Sequence, residues 1–101
     1  MSGFEFHPSA LTDLEEIWEF IATDSPDAAD RVASEIHEAI GSLVALPKSG
    51  HIRPDLTRLP LRFHPVRSFL IAYAPDEKPL LVLGILHGRR NPRVIAAILR
   101  S

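Results

Sequence analysis

The chain has 101 residues, 46% of them hydrophobic and 24% charged, so it has room for one core and is expected to form a single domain over residues 1–101. It has no cysteine, which excludes disulfide bonds, thiolate metal sites and a cysteine nucleophile. The net charge of −2 conceals a division at Pro47: residues 1–46 carry ten acidic residues and one arginine, whereas residues 47–101 carry three acidic and ten basic residues. This division indicates an acidic outer layer and a basic working surface.

The N-terminus has no basic region followed by an apolar run, which predicts a cytoplasmic protein that does not associate with membranes. Residues 3–7 alternate apolar and polar side chains, as a half-buried strand does. From Pro8 to Thr23, apolar residues recur at helical spacing with acidic residues between them, which predicts an amphipathic helix. Trp18 lies at helical spacing from Leu14 and Ile21 and is expected in the core.

A second helix is predicted to begin at Ser25-Pro26, because serine is a favourable N-cap and proline suits the first helical position. It continues until Leu46-Pro47 closes it, with an apolar stripe of Ala29, Val32, Ile36, Ile40, Leu43 and Val44. The short turn between the two helices predicts an antiparallel helical hairpin.

The second half of the chain reads as a loop followed by strands. Residues 47–60 are rich in proline, glycine and basic residues, and we expect a loop partly ordered by Ile52, Leu56 and Leu59. Three strand-like runs follow, separated by turns at Pro65-Val66 and at residues 75–79: Leu61–His64, Ser68–Ala74 and Leu80–His87. Consecutive strands with short turns predict a meander.

Pro92–Leu99 is predicted to form a short C-terminal helix, since Val94, Ile95, Ile98 and Leu99 recur at helical spacing. The order of elements is therefore βααβββα. We expect an α+β fold in which the helical hairpin packs on a small, mainly antiparallel sheet with a short C-terminal helix.

The third predicted strand divides its side chains between two faces. Phe69, Ile71 and Tyr73 share one face and are expected to pack on the helices, whereas Leu70 and Ala72 point the other way. An apolar strip on the open side of the sheet would accept a partner helix, or the C-terminal helix could cover it. The sequence leaves both alternatives open.

Over essentially its whole length the sequence resembles the RelE/ParE toxins of bacterial type II toxin-antitoxin systems. The resemblance is carried by Pro8-x-Ala10-x-x-Asp13-Leu14-x-x-Ile17, Leu46-Pro47-x-x-Gly50 with Arg53, Leu61-Arg62, Phe69-Leu70-Ile71-x-Tyr73 and Ile85-Leu86-His87-Gly88-Arg89-Arg90. The last of these is the most specific, and it is similar to the ParE branch of the family.

The resemblance to ParE implies a toxin that arrests growth, contributes to plasmid stabilisation and inhibits DNA gyrase by direct binding. It also implies a cognate antitoxin, whose helical tail covers the toxin's groove in a toxin-antitoxin hetero-oligomer, and no cofactor. A toxin that acts by binding would not be an enzyme. Two alternatives remain: a ribosome-dependent, metal-independent mRNA endoribonuclease of the RelE type, and a degenerate toxin that only binds its antitoxin.

Seven arginines fall in the loop, the strands and the connection after the last strand, where they could converge on one face. Arginine binds phosphates or carboxylates through bidentate contacts, so such a face could bind nucleic acid, a target protein or an acidic antitoxin tail. Alternatively, single members are solvated or pair with the acidic helices. The candidate residues for target or antitoxin binding are Arg53, Arg58, Arg62, Arg67, His87, Arg89, Arg90 and Arg93.

Histidines are the candidates for RNA cleavage, which needs an acid and a base near neutrality and a cation on the phosphate. His64 and His87 with Arg67 could fill these roles if the nuclease alternative holds. His87 can also be read as a structural or partner-contacting residue of the His-Gly-Arg-Arg pattern. Lys48 has no second lysine beside it and the chain ends Ile-Leu-Arg-Ser, which departs from ribosome-dependent members. The spacing of the histidines fits no compact metal motif, so no metal is expected.

Overall fold

The computed structural model describes residues 3–87. The elements are, in chain order, β1 (Phe4–Phe6), α1 (Pro8–Ala22), α2 (Pro26–Ala45), a short 3₁₀ turn (Pro47–Ser49), β2 (Arg62–Val66), β3 (Phe69–Ala74) and β4 (Leu80–His87). This confirms the α+β class and the predicted order up to the last strand. The predicted C-terminal helix, Pro92–Leu99, lies outside the described residues.

The helical hairpin forms where the capping residues predict it. The Ser25 hydroxyl accepts a hydrogen bond from the N–H of Ala28 at 3.2 Å, and Pro26 occupies the first turn of α2. At the start of α1, Nδ1 of His7 accepts a hydrogen bond from the N–H of Ser9 at 3.1 Å. Within residues 3–87, neither helix combines the length and apolarity needed to cross a membrane.

The four strands form one sheet in the order β1-β4-β3-β2. The β2–β3 and β3–β4 pairs are antiparallel, as the meander predicts, and β1 adds to β4 in parallel. β2 is an edge strand, and it tolerates Pro65 because the nitrogen of this residue, like that of Phe63 two residues earlier, points away from β3, so no hydrogen bond to β3 is lost. The predicted turn at Pro65-Val66 is therefore wrong: both residues belong to β2, and the turn lies at Arg67-Ser68.

The sheet buries side chains on both of its faces. Tyr73 and Ile71 are fully buried against the helical hairpin, together with Ile36 and Ile40 of α2. On the opposite face, a smaller apolar cluster comprises Leu56, Leu61, Phe63, Ala72 and Leu86, with Leu70, Ala74 and Leu83 packed against it. The predicted division of β3 between two faces is confirmed.

Trp18 and part of the loop depart from the predicted core. The Trp18 side chain is 39% exposed, and its Nε1 donates a hydrogen bond to Oδ1 of Asp30 at 2.9 Å, so the prediction that it is a core residue is wrong. Leu56 is buried as expected, but Ile52 and Leu59 are exposed. An indole that satisfies its N–H at the surface gains less from burial than a purely apolar side chain.

The loop after α2 is fastened to the sheet by Tyr73. Its hydroxyl accepts a hydrogen bond from the N–H of Gly50 at 2.9 Å and donates one to the carbonyl of Pro47 at 2.6 Å. Arg62 reinforces the same segment by donating from Nη1 to the carbonyl of Gly50 at 2.8 Å. His51 then pairs through its backbone with Phe63, which extends the sheet edge by one bridge.

Strand β4 contains one surplus residue. Tyr73 pairs with Val82 and Ala72 pairs with Gly84, so Leu83 has no partner on β3. Such a β-bulge interrupts the alternation of side chains along the strand. After it, Ile85 and His87 pair with Ile71 and Phe69 on the helix side of the sheet.

Candidate functional site

A groove of about 650 Å³ opens at the end of the molecule where α1 turns into α2. Its walls are mainly apolar and come from both helices and from the ends of β3 and β4: Ile17, Phe20, Ile21, Ala28, Val32, Phe69 and Ile85. The polar residues that line it are Asp13, Glu16, Arg67, Ser68 and His87. Phe20 is 81% exposed, the highest value among the exposed large hydrophobic side chains of residues 3–87.

His87 lies in this groove at the last position of β4. Its ring contacts that of Phe69 edge to face, with centroids 5.4 Å apart and an interplanar angle of 80°. Gly88-Arg89-Arg90 follow directly in the sequence. The most specific motif of the chain therefore begins in the groove, although Arg89, Arg90 and Arg93 lie outside the described residues.

Arg67 lines the groove from the turn between β2 and β3, where it has a positive φ of 55°. Its guanidinium forms a bidentate ion pair with Glu35 of α2, with Nε–Oε1 and Nη2–Oε2 distances of 2.8 and 2.6 Å. Hydrogen bonding to Arg67 lowers the pKa of Glu35, and the carboxylate raises the pKa of Arg67 in return. A left-handed turn residue is thus tied to the helical hairpin by its side chain.

The other described arginines do not converge on the groove. Arg62 binds the carbonyl of Gly50 at the opposite end of β2. Arg53 forms a bidentate pair with its near neighbour Asp55, at 3.0 and 2.7 Å, which raises the pKa of Arg53 and lowers that of Asp55. Arg58 is exposed in the loop. Of the described candidates for binding, only Arg67 and His87 meet in one cavity.

His64 and His87 are also kept apart. His64 lies opposite Ile71 on β2, and His87 lies opposite Phe69 on β4, with β3 between the two strands. Two strand spacings separate β2 from β4 by roughly 9–10 Å. Arg62 and His64 share the helix side of the sheet, because they pair with Tyr73 and Ile71, but the acid and base of the nuclease alternative are not brought to one phosphate.

Comparison with known protein families identifies the family of this chain. The family model described as the ParE toxin of type II toxin-antitoxin systems, parDE, matches residues 4–92, which is most of the sequence. The chain belongs to the ParE toxin family. The match confirms the prediction that the chain is closest to the ParE branch of the RelE/ParE toxins.

Solved structures agree with the ParE fold. A chain from the chromosomal ParDE toxin-antitoxin system of P. aeruginosa superposes with a TM-score of 0.69, covering 83% of this chain and 92% of that one at 20% sequence identity. At this identity the likeness concerns the fold alone. A search of curated proteins gave no match.

Several groove residues of this ParE-family chain were not among the sequence-derived candidates. Asp13 belongs to the Pro8-to-Ile17 motif, and Glu16 and Phe20 lie in a stretch that predicts an ordinary amphipathic helix, so the sequence singles out none of the three as a site residue. The signal that could have identified Phe20 is its place beside Glu16 and Glu19, off the apolar stripe. Within residues 3–87 of this ParE toxin, no cluster of three or more histidines and carboxylates could bind a metal ion.

Proposed function

We propose that this ParE-family toxin inhibits DNA gyrase by direct binding and is neutralised by a cognate antitoxin that occupies the apolar groove. The observation that carries the proposal is the composition of the groove. Its lining is largely apolar and includes His87, the residue immediately before Gly88-Arg89-Arg90 in the sequence. Apolar walls with a few polar groups suit a protein segment, such as the apolar face of a helix, better than they suit a phosphate backbone.

Charge at the groove supports a protein partner as well. Arg67 already pairs with Glu35, and Asp13 and Glu16 add carboxylates among the groove residues. A nucleic-acid site would instead gather unpaired cations, because phosphate contacts dominate binding to RNA and DNA. The charge distribution of the groove therefore supports recognition of a polypeptide.

Mechanistically, binding of this kind needs no catalytic acid or base. The toxin would hold gyrase through buried apolar contact in the groove and through charge-assisted contacts from Arg89 and Arg90. An antitoxin helix that fills the groove would exclude the target by occupying the same surface. The complex of the two proteins is accordingly expected to be a toxin-antitoxin hetero-oligomer.

Expression of the toxin in cells without its antitoxin tests the proposal. Gyrase inhibition predicts growth arrest, relaxed plasmid DNA and protein-linked DNA breaks, with messenger RNA left intact. Arrest with cleaved messenger RNA and normal plasmid supercoiling would contradict it. Coexpression of the antitoxin, as the matched control, should restore both growth and plasmid supercoiling.

A further inference from the structure

Helix α1 holds both sides of the bulge in β4. The Ser9 hydroxyl donates a hydrogen bond to the carbonyl of Leu83 at 2.7 Å, and Oδ2 of Asp13 accepts one from the N–H of Ile85 at 3.0 Å. Ser9 and Asp13 are four residues apart, about one helical turn, so they lie on one face of α1. Both groups lie beyond Val82, the last residue of β4 that pairs with β1, so two side chains of one helix bind the edge of β4 where the β1 ladder ends.

The bulge determines which face of the sheet the end of β4 presents. With it, Ile85 and His87 face the helices and the groove, whereas Leu86 is buried on the opposite face. If the regular ladder continued past Val82, Leu83 would take the place of Gly84 opposite Ala72. Every later side chain would then change faces, because the side-chain period of a strand is two. His87 would leave the groove and Leu86 would enter the helix side.

Gly84 is the residue that lets Asp13 approach the strand. A Cβ built on Gly84 would lie 3.2 Å from Oδ2 of Asp13, closer than most Cβ contacts in proteins. The absence of a side chain there leaves room for the carboxylate to reach the N–H of Ile85. Helix and strand are therefore matched at this point in both shape and hydrogen bonding.

We propose that Asp13, assisted by Ser9, is a positioning residue of the toxin: it selects the bulged register of β4 and so keeps His87 on the groove side. The inference rests on the proposed function in one respect, namely that the groove is the working surface. The selection of register itself is a property of the free toxin.

Amide hydrogen exchange of the free toxin, resolved by residue with NMR, tests the register. In Asp13→Ala, the amides of Ile85–His87 are expected to exchange about tenfold faster or more, while those of Leu80–Val82 change less, because the hydrogen bond from the N–H of Ile85 to Asp13 is lost. Asp13→Asn keeps an acceptor oxygen and should stay nearer the wild type. Unchanged exchange at Ile85 in Asp13→Ala would overturn the proposal.

Deletion of Leu83 provides the decisive second variant. Removing the surplus residue makes the regular ladder place Ile85 opposite Ile71 without help from Asp13. Asp13→Ala alone is expected to weaken the Phe69–His87 ring contact, seen as cross-peaks between the two rings, and to reduce growth arrest. Deletion of Leu83 in the Asp13→Ala background is expected to restore both. A role of Asp13 in stability or in direct contact with a partner predicts no such rescue.

The outcomes separate this inference from the proposed function. If wild-type toxin leaves gyrase unaffected, the proposed function fails, but exchange rates and ring contacts still decide the register. If Asp13→Ala alone does not fold, the comparison moves to the Leu83-deleted chain, in which Asp13→Ala should be tolerated. A double variant that behaves no better than Asp13→Ala would overturn the positioning role.

Discussion

The hydroxyl of Tyr73 lies 2.9 Å from the backbone nitrogen of Gly50 and fastens the long loop to the centre of the sheet. Tyr73 is fully buried, and desolvation raises the pKa of its hydroxyl above the ordinary value of 10.0, although hydrogen bonding from Gly50 and the charge of Arg62 oppose the shift. It is also the only tyrosine of the chain, so its ionisation can be followed without interference.

An absorbance titration of the phenolate should give a midpoint above 10.0 for folded toxin and close to 10 in urea. Because the folded-state pKa is raised, the stability that the protonated hydroxyl contributes is complete below the unfolded pKa and is lost as the pH rises through the folded pKa. Tyr73→Phe, the matched control, should lack this alkaline loss. A folded-state midpoint at or below the urea value would contradict the description of this site.

Gly50 and Gly41 should respond with opposite signs to the same substitution. A Cβ on Gly50 would overlap the Tyr73 hydroxyl, whereas a Cβ on Gly41 meets nothing within 4 Å on the exposed side of α2. Gly50→Ala is therefore expected to lower the free energy of unfolding, and Gly41→Ala to raise it by about 0.5–1 kcal/mol. Urea denaturation measures both free energies. A Gly41→Ala variant that is destabilised, together with a Gly50→Ala variant that is as stable as the wild type, would contradict both predictions.

The exposed ring of Phe20 is expected to matter for binding and not for folding. Phe20→Ser should leave thermal stability nearly unchanged, because the ring is 81% exposed, yet weaken binding of the antitoxin by about tenfold or more. Leu46→Ser is the matched control, since Leu46 is 67% exposed at the other end of α2, away from the groove. Isothermal titration calorimetry compares the two variants, and equal affinities would show that the antitoxin does not use the groove.

The two arginines after His87 are expected to carry much of the contact with the target. The double substitution Arg89→Ala and Arg90→Ala should abolish or strongly reduce growth arrest while the circular dichroism spectrum and the melting temperature stay close to those of the wild type. Arg58→Ala, an exposed loop arginine outside the groove, serves as the control. A fully toxic double variant would remove these residues from the working surface.

Local signals in the sequence predicted most of the fold. Ser25 and Pro26 begin α2 as their capping preferences require, and the apolar run Leu80–His87 is β4 with the same bounds. The alternation of Phe69, Ile71 and Tyr73 correctly placed one face of β3 against the helices. These features depend on neighbours in the chain, and the sequence contains that information directly.

Features that depend on distant partners could not be predicted. Proline is typical of turns, so Pro65 predicts a turn. Nothing in the neighbouring sequence shows that β2 is an edge strand, where a proline can be accommodated. The bulge at Leu83 depends on Ser9 and Asp13, more than seventy positions away, so the face of His87 could not be read from alternation. Likewise, the convergence of arginines is not found among the described residues, because Arg62 and Arg67 lie at opposite ends of one strand.

The most direct test of the central claim uses toxin separated from its antitoxin and added to purified gyrase with plasmid DNA and ATP. Direct inhibition predicts loss of supercoiling and trapped, protein-linked DNA breaks, both of which disappear when antitoxin is restored. Unaffected gyrase in the presence of correctly folded toxin would contradict the claim. Cleavage of messenger RNA on translating ribosomes by the same preparation would then make the toxin a nuclease, with His64 and His87 as the first residues to substitute.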